Sequence, residues 1–420
     1  MGIGPSTKET TLHYSREPLV KYLESRGDVD LAGIIVLGTS DDNDHKLLVA
    51  QRAGAIVAAM GVHGAIISID SWGNTNIDFA NAIEAVGDRD IPLAGLCFSG
   101  TQGTFVVKNA YMEKIIDLNK TSEGIETCVL GQNSLVELDA VRAFSVLESR
   151  MRKAWPGMRW SGEPCLRKRR LMVRGYAVAD AHPASQTSFR DGLFLVDTVA
   201  LAAEAMAEAQ SLYPQVRKVA CSLIRPGDHD IKVNSILDVA PLATKAKGPI
   251  GEGITHRMDG LQVMLTAVEE GGFMPINIGC AAGRLADAVC FDRCGTPGSG
   301  DFILHIDVLL AEGEARTREG ITAAHKVGDF LVNRLREPLK AQGHKAATTI
   351  EEYWETSRPQ GCRIALVKLV SGLGCMYDTV LFPKEPGGCL GGRSIMDLSN
   401  NMPVLVSVNE IRDGALRSLS

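Results

Sequence analysis

The first eighteen residues, Met1-Gly-Ile-Gly-Pro-Ser-Thr-Lys-Glu-Thr-Thr-Leu-His-Tyr-Ser-Arg-Glu-Pro18, place Lys8, Glu9, His13 and Arg16 among serines and threonines. An ammonium, a carboxylate, an imidazole and a guanidinium in so short a span suit the polarising or protonating of a small ligand. The plainer reading is an arm that frays before a helix begins near Pro18. A second concentration lies in Arg225-Pro-Gly-Asp-His-Asp230 and Gly251-Glu-Gly-Ile-Thr-His256, both expected as loops. Arg225, Asp228, His229, Asp230, Glu252 and His256 offer imidazoles and carboxylates that suit a metal site or acid/base pairs. They equally suit a polar network bracing long loops. Cys280 stands between a strand and a helix start, where a thiol can be activated, although most such cysteines are inert core residues. Cys290 and Cys294 are four apart, a helical spacing. No Cys-x-x-Cys pair is present, which weakens zinc and thioredoxin-like readings.

Positioning such residues takes a scaffold, and the pattern supplies one. Leu31–Gly38, Gly64–Asp70 and Ile91–Phe98 are continuous apolar runs, the mark of strands covered on both faces. Helices are expected over 18–26, 45–60, 78–86 and 134–152. Strand, polar loop and helix alternate, which predicts a doubly wound parallel sheet for residues 1–150. In such sheets ligands bind beyond the carboxyl ends of the strands. Those ends are the loops at 39–44, 71–78 (which holds Asn74) and 99–104. None has dinucleotide or P-loop glycine spacing. Residues 151–170, with seven Lys and Arg from Arg152 to Arg170 among prolines and tryptophans, read as a basic linker. Residues 171–420 read as a larger mixed α/β module. Its strands are expected at 171–178, 192–196, 216–224, 260–268, 302–310, 364–370 and 403–408, and its helices at 197–211, 317–340 and after Asn409. A glycine-rich segment, 372–392, carries Asp378. The fold class expected is therefore α/β, with a doubly wound N-terminal module and a larger mixed one.

At 420 residues the chain exceeds the usual size of one core. A net charge of -6 gives no reason to expect nucleic acid. No apolar run is long enough to span a membrane, and the first thirty residues are too polar for a signal peptide. Cysteines in apolar contexts suit free thiols and a cytoplasmic location.

Several strings together resemble one family. They are Gly-Ile-Gly-Pro-Ser-Thr-Lys-Glu-Thr-Thr-Leu-His (2–13), Arg-Pro-Gly-Asp-His-Asp (225–230), Gly-Glu-Gly-Ile-Thr-His (251–256), Cys-Gly-Thr-Pro (294–297), Met-Tyr-Asp-Thr (376–379), Phe-Pro-Lys-Glu-Pro (382–386) and Asn-Glu-Ile-Arg-Asp-Gly-Ala (409–415). The family is that of D-proline reductase and component B of the glycine, sarcosine and betaine reductases. The resemblance implies a reverse order of modules relative to the family's proprotein. It also implies a pyruvoyl group made from a cysteine just ahead of the 2–13 string. That cysteine has no counterpart here, so no cofactor is expected.

What the resemblance then implies is a reductase subunit that cleaves a small amino or imino acid, or a cyclic amide. A thiol- or selenol-bearing subunit would supply electrons within an oligomeric complex. Lys8, Glu9, His229, Glu252 and His256 are the expected catalytic residues. Thr7, His13, Arg16, Asn74, Asp228 and Asp378 are the expected substrate contacts, and no metal is expected. Two other readings are a non-catalytic accessory paralogue and a metal-dependent lyase or hydrolase using Asp228, His229, Glu252 and His256. Residues 2–13 are expected to be ordered and to lie near Arg412–Ser420.

Overall fold

A computed structural model of the chain describes residues 6–40, 42–70, 73–101, 105, 107–161, 166–275, 281–342, 347–370, 379–394 and 402–419. Two short helices open it, α1 (Thr11–Ser15) and α2 (Pro18–Ser25). Thr10 caps α1 by accepting from the His13 amide at 3.2 Å. Pro18 sits at the first position of α2, where its missing N–H costs nothing. Next come β1 (Val29–Gly38), α3 (Asn43–Ala59), β2 (Gly64–Ile69), α4 (Asn76–Gly87), β3 (Leu93–Cys97), β4 (Ile115–Asp117) and α5 (Glu137–Ala154). These elements follow the expected alternation closely, and α1 and β4 are the additions to it.

The following part holds β5 (Leu166–Ala177), β6 (Asp180–Pro183), β7 (Ser188–Arg190), β8 (Leu193–Val196), α6 (Thr198–Leu212) and β9 (Val216–Ile224). After β10 (Lys232–Val233) come two long strands, β11 (Ser235–Lys247) and β12 (Gly253–Glu269). Then follow β13 (Gly283–Arg284), α7 (Leu285–Ala288), β14 (Phe302–Leu310), α8 (Arg318–Lys340), β15 (Thr349–Ser357) and β16 (Cys362–Val370). The chain closes with β17 (Thr379–Leu381), β18 (Arg393–Ser394), β19 (Val404–Val406), α9 (Val408–Arg412) and β20 (Leu416–Ser418).

One six-stranded sheet runs β19-β1-β16-β2-β3-β4, parallel except for β19. Helices α2 and α5 bury one face of it and α3 and α4 the other. The fold is thus α/β with a doubly wound sheet, as expected. The contributors differ from the expectation, because β16, two hundred residues beyond α5, is inserted between β1 and β2. Its run Ile364–Val370 is almost wholly buried, as a strand covered on both faces must be. A boundary drawn along the sequence cannot show that pairing.

The second main sheet runs β15-β5-β12-β14-β9, with β11 also on β12. Strand β5 starts inside the expected linker, and its Arg169 and Arg170 are held by Glu355 and Glu352 of β15. The basic run is therefore partly a strand with acidic neighbours. Strands β11 and β15 were not expected, since their polar and mixed residues break simple periodicity. Strand β12 begins at Gly253, so His256 is on a strand and not in a loop. Its partner changes from β5 to β14 across Gly260, whose φ of 85° permits the turn of direction.

Candidate functional site

The segment 6–17 meets Lys368, near the carboxyl end of β16, through Glu9 and Glu17 and is buried almost throughout. Its backbone is tied down at several points. The Asn133 amide donates to Ser6 from both its backbone and its side chain, at 2.8 and 3.2 Å. The Thr10 hydroxyl donates to the Gly295 carbonyl at 2.7 Å. Asp238 accepts from the Thr11 amide and hydroxyl at 2.9 and 2.6 Å. The Ser418 amide donates to the Thr11 hydroxyl at 3.0 Å, so the C-terminal strand lies against α1 as expected. Residues 2–5 of the opening string lie outside the described residues.

Glu9, His13 and Glu17 are spaced by four, which brings them to one side of α1 and its flanks. His13 Nε2 lies 3.4 Å from Glu9 Oε1 and 3.5 Å from Glu17 Oε2. Lys368, from β16, sits 2.8 Å from Glu9 and 2.6 Å from Glu17. On the other edge of the ring, His13 Nδ1 is 3.1 Å from Cys294 Sγ. Burial alone would lower the His13 pKa, but Cys294, Glu9 and Glu17 overcome it and raise it well above the usual imidazole value. Burial likewise opposes the charge of Glu17, yet Lys368 and His13 hold its pKa well below the carboxylate range. Lys368 is raised for the same reason in reverse, with Glu17 and Glu9 outweighing burial.

Glu9, His13 and Glu17 form the one group of three metal-type ligands among the described residues, all within 4.8 Å of one another. The Lys368 ammonium already supplies a cation to both carboxylates. Beside them Asp70, at the carboxyl end of β2, is pushed up to about 8 by burial and by the charge of Glu9. Burial brings Lys8 down to about 8, against the pull of Asp238. The Lys8 ammonium donates to the Leu237 carbonyl. Arg417 Nε lies 3.1 Å from Asp238 and completes this fully buried polar belt.

Glu17 and Cys294 also line a cleft of about 850 Å³ between the N-terminal segment and the second sheet. Arg16, Arg257, Arg293 and Arg412 reach its walls. Arg257 is paired with Asp259 and Glu351, and Arg412 with Glu24. Arg16 and Arg293 have no carboxylate partner within ion-pair distance among the described residues. Cys290 and Cys294 do not share a helix. Residues 291–296 turn sharply, with Asp292 at a φ of 63°, and this directs Cys294 to His13.

The expected site residues divide. Lys8, Glu9 and His13 converge in the buried belt, and Arg16 stands at the cleft. Thr7 is buried with its hydroxyl 3.4 Å from Glu126. Asp228 and Glu252 are exposed, and His229 stacks on Phe291 at 4.2 Å. His256 is buried edge-on to Tyr176 at 5.1 Å. Burial lowers its pKa, and its contact with the Leu339 backbone opposes that only in part. Alternation along β12 sends Thr255 and Arg257 toward α9 and the cleft, and His256 the other way. The Asp228, His229, Glu252 and His256 grouping for a metal therefore does not form. Asn74 is exposed on a short turn, Gly73–Thr75. Asp378 and Cys280 lie outside the described residues.

Glu17, Asp70, Cys294, Lys368, Asp238 and Arg417 were not picked out by residue pattern as site residues. Two signals were available for them. Glu9, His13 and Glu17 have helical spacing, and Lys368 is a lone charge inside an apolar strand, where lysine is almost never unpaired.

Comparison with known proteins bears on this segment. Residues 2–117 match the glycine/sarcosine/betaine reductase component B subunits. A stretch of 147 residues, 35% of this chain, is 43% identical to the D-proline reductase proprotein of Acetoanaerobium sticklandii. The chain spans 23% of that protein's length. The similarity read from the opening string is thereby supported, and the strings beyond residue 117 stand outside the family match. No solved structure matches the chain. Among the described residues no helix is long and apolar enough to cross a membrane.

Proposed function

We propose that the chain is a subunit of a reductase of the D-proline/glycine reductase type, acting reductively on a small amino or imino acid or a cyclic amide. The observation that carries this reading is where the family match falls. Residues 2–117 include Lys8, Glu9, His13, Glu17 and Asp70, the buried belt beside the cleft.

Reductive cleavage of a C–N bond takes two electrons and two protons, which turn that bond into C–H and N–H. A thiol and a selenol, or two thiols, on a partner subunit supply the electrons and end as a selenosulfide or disulfide. The described part of the chain contributes binding and proton handling. Arg16 and Arg293 offer guanidinium groups to a substrate carboxylate. Asp70, held protonated near neutral pH, and His13, held as imidazolium against Glu17 and Cys294 of the cleft wall, are the acid groups of the belt. Lys8 and Glu9 set their field, whereas His229, Glu252 and His256 have no place in this arrangement.

The resemblance places the residue that gives the pyruvoyl group just ahead of the 2–13 string. No step is routed through such a group. A second reading is an accessory paralogue that binds a processed reductase, and what favours it is that Glu9 and Glu17 are already paired with the buried Lys368.

The test is full-length chain, with and without its co-purifying thiol or selenol subunit, incubated with D-proline, glycine betaine, sarcosine and simple cyclic amides under dithiothreitol. Mass spectrometry is expected to show either a cyclic substrate opened to a product two hydrogens heavier, or glycine betaine or sarcosine split into an amine and a carboxylic acid that together carry two more hydrogens. No conversion across the panel contradicts the catalytic reading, and stable co-purification without turnover supports the accessory one.

A further inference from the structure

A thiol and an imidazole meet at the cleft wall. Cys294 is part-exposed, belongs to the cleft wall, and its sulfur is 3.1 Å from His13 Nδ1. A sulfur within reach of a base that is itself oriented by carboxylates is the arrangement that activates a nucleophile. The orienting groups here are Glu9 and Glu17, both buried and both fixed by Lys368. The Leu135 carbonyl at 3.4 Å fixes the sulfur from the other side. Other described cysteines lack this. Cys97, Cys362 and Cys389 are buried, and burial pushes the Cys362 and Cys389 thiols up to about 12.

Charge around the opening is the second observation. With Arg257 and Arg412 neutralised by their partners, Arg16 and Arg293 are the guanidiniums of the cleft without a carboxylate partner among the described residues, and Lys21 also lines it. Glu137 and Asp292 are the carboxylates at the rim, and the Asp292 carboxylate already accepts from the Ser299 amide at 2.9 Å. A volume of about 850 Å³ suits a small molecule.

We propose that Cys294 and His13 form a reactive thiol–imidazole pair whose cleft admits small electrophiles bearing a carboxylate, steered by Arg16 and Arg293. The sulfur forms the new bond to the electrophilic carbon, the leaving group departs with its electron pair, and the thiol proton remains on His13 Nδ1. This goes beyond the reductase reading and does not need it, since the pair acts on a chemical probe without any partner subunit.

Iodoacetate and iodoacetamide are the probes, the first anionic and the second neutral. In both, an S–C bond forms, the C–I bond breaks and iodide leaves. Exposed Cys128 is the internal control. Peptide mapping of native full-length chain at pH 7 and low salt is expected to show Cys294 labelled about tenfold faster than Cys128 by iodoacetate. At Cys294 iodoacetate outpaces iodoacetamide, the reverse of their order at Cys128. R16A and R293A are expected to slow iodoacetate at Cys294 by roughly three- to tenfold and leave iodoacetamide unchanged, and added salt acts in the same direction. C294S removes the fast phase. Labelling of Cys294 no faster than Cys128 overturns the reactive pair. An iodoacetate rate untouched by R16A and R293A overturns the anion steering. Because Arg16 and Arg293 are exposed, these variants keep the fold, which circular dichroism checks.

Discussion

Residues 6–17 and the two loops at 225–230 and 251–256 are built from much the same side chains, and the fold treats them oppositely. In the first, Glu9, His13 and Glu17 close on Lys368 and Cys294 with distances of 2.6 to 3.5 Å. In the second, Asp228 and Glu252 face solvent, His229 lies on a phenylalanine ring, and His256 is packed against a tyrosine. Density of titratable residues along a chain is not convergence in space. Convergence needs elements that aim the side chains together. Helical spacing and a central strand do so around α1, while strand alternation along β12 separates neighbours.

The sharpest way to break this contrast is to remove the buried cation. K368M leaves Glu9 and Glu17 buried without their ammonium and is expected to cost about 3–5 kcal/mol, read from urea unfolding. A loss below about 1 kcal/mol shows that water reaches the carboxylates and that the belt is not a buried network. E252Q, on the other side of the comparison, is expected to stay within about 0.5 kcal/mol of the parent, since Glu252 is exposed.

Proton linkage distinguishes the members of the belt. Asp70 has a folded pKa raised to about 8, so folding takes up a proton and the parent loses stability as pH rises from about 4 through 8. D70N is therefore expected to gain on the parent, by on the order of a few kcal/mol at pH 9 and little at pH 4. A pH-independent difference contradicts the burial of an acid at that position. The Glu17 contribution runs the other way. Its depressed pKa stabilises the fold above pH 4.5 and is lost as pH falls, so E17Q flattens the acid limb of the stability profile.

How much of this was legible in the sequence depends on whether the determinant is local. The runs at 31–38 and 64–70 announced buried parallel strands because apolar continuity needs no partner to be seen. Pro18 marked the start of α2 for the same reason. The insertion of β16 between β1 and β2 was not legible, because pairing across hundreds of residues leaves no local trace. Lys368 and Cys294 were missed with it, since each gains its meaning from a partner on α1. Lys8, Glu9 and His13 were singled out by type, but their surroundings, including Asp70 and Arg417, were not. His256 was misplaced because a glycine-flanked string read as a loop, and the strand that begins at Gly253 turns its side chain from the cleft.

A smaller effect is expected at His256 itself. H256A should cost about 1–3 kcal/mol through lost packing on Tyr176 and leave the labelling rate of Cys294 unchanged. A slowed Cys294 in that variant would show that the two regions are coupled after all.

The two histidines allow the most direct measurement. Nitrogen-15 NMR of histidine-labelled full-length chain reports the charge on each ring, with H13Q and H256A giving the assignments. At pH 7.5 the account predicts His13 as imidazolium, held by Glu9, Glu17 and Cys294, while His256 is neutral. A neutral His13 at that pH, titrating near 6.5 like a solvated imidazole, contradicts it.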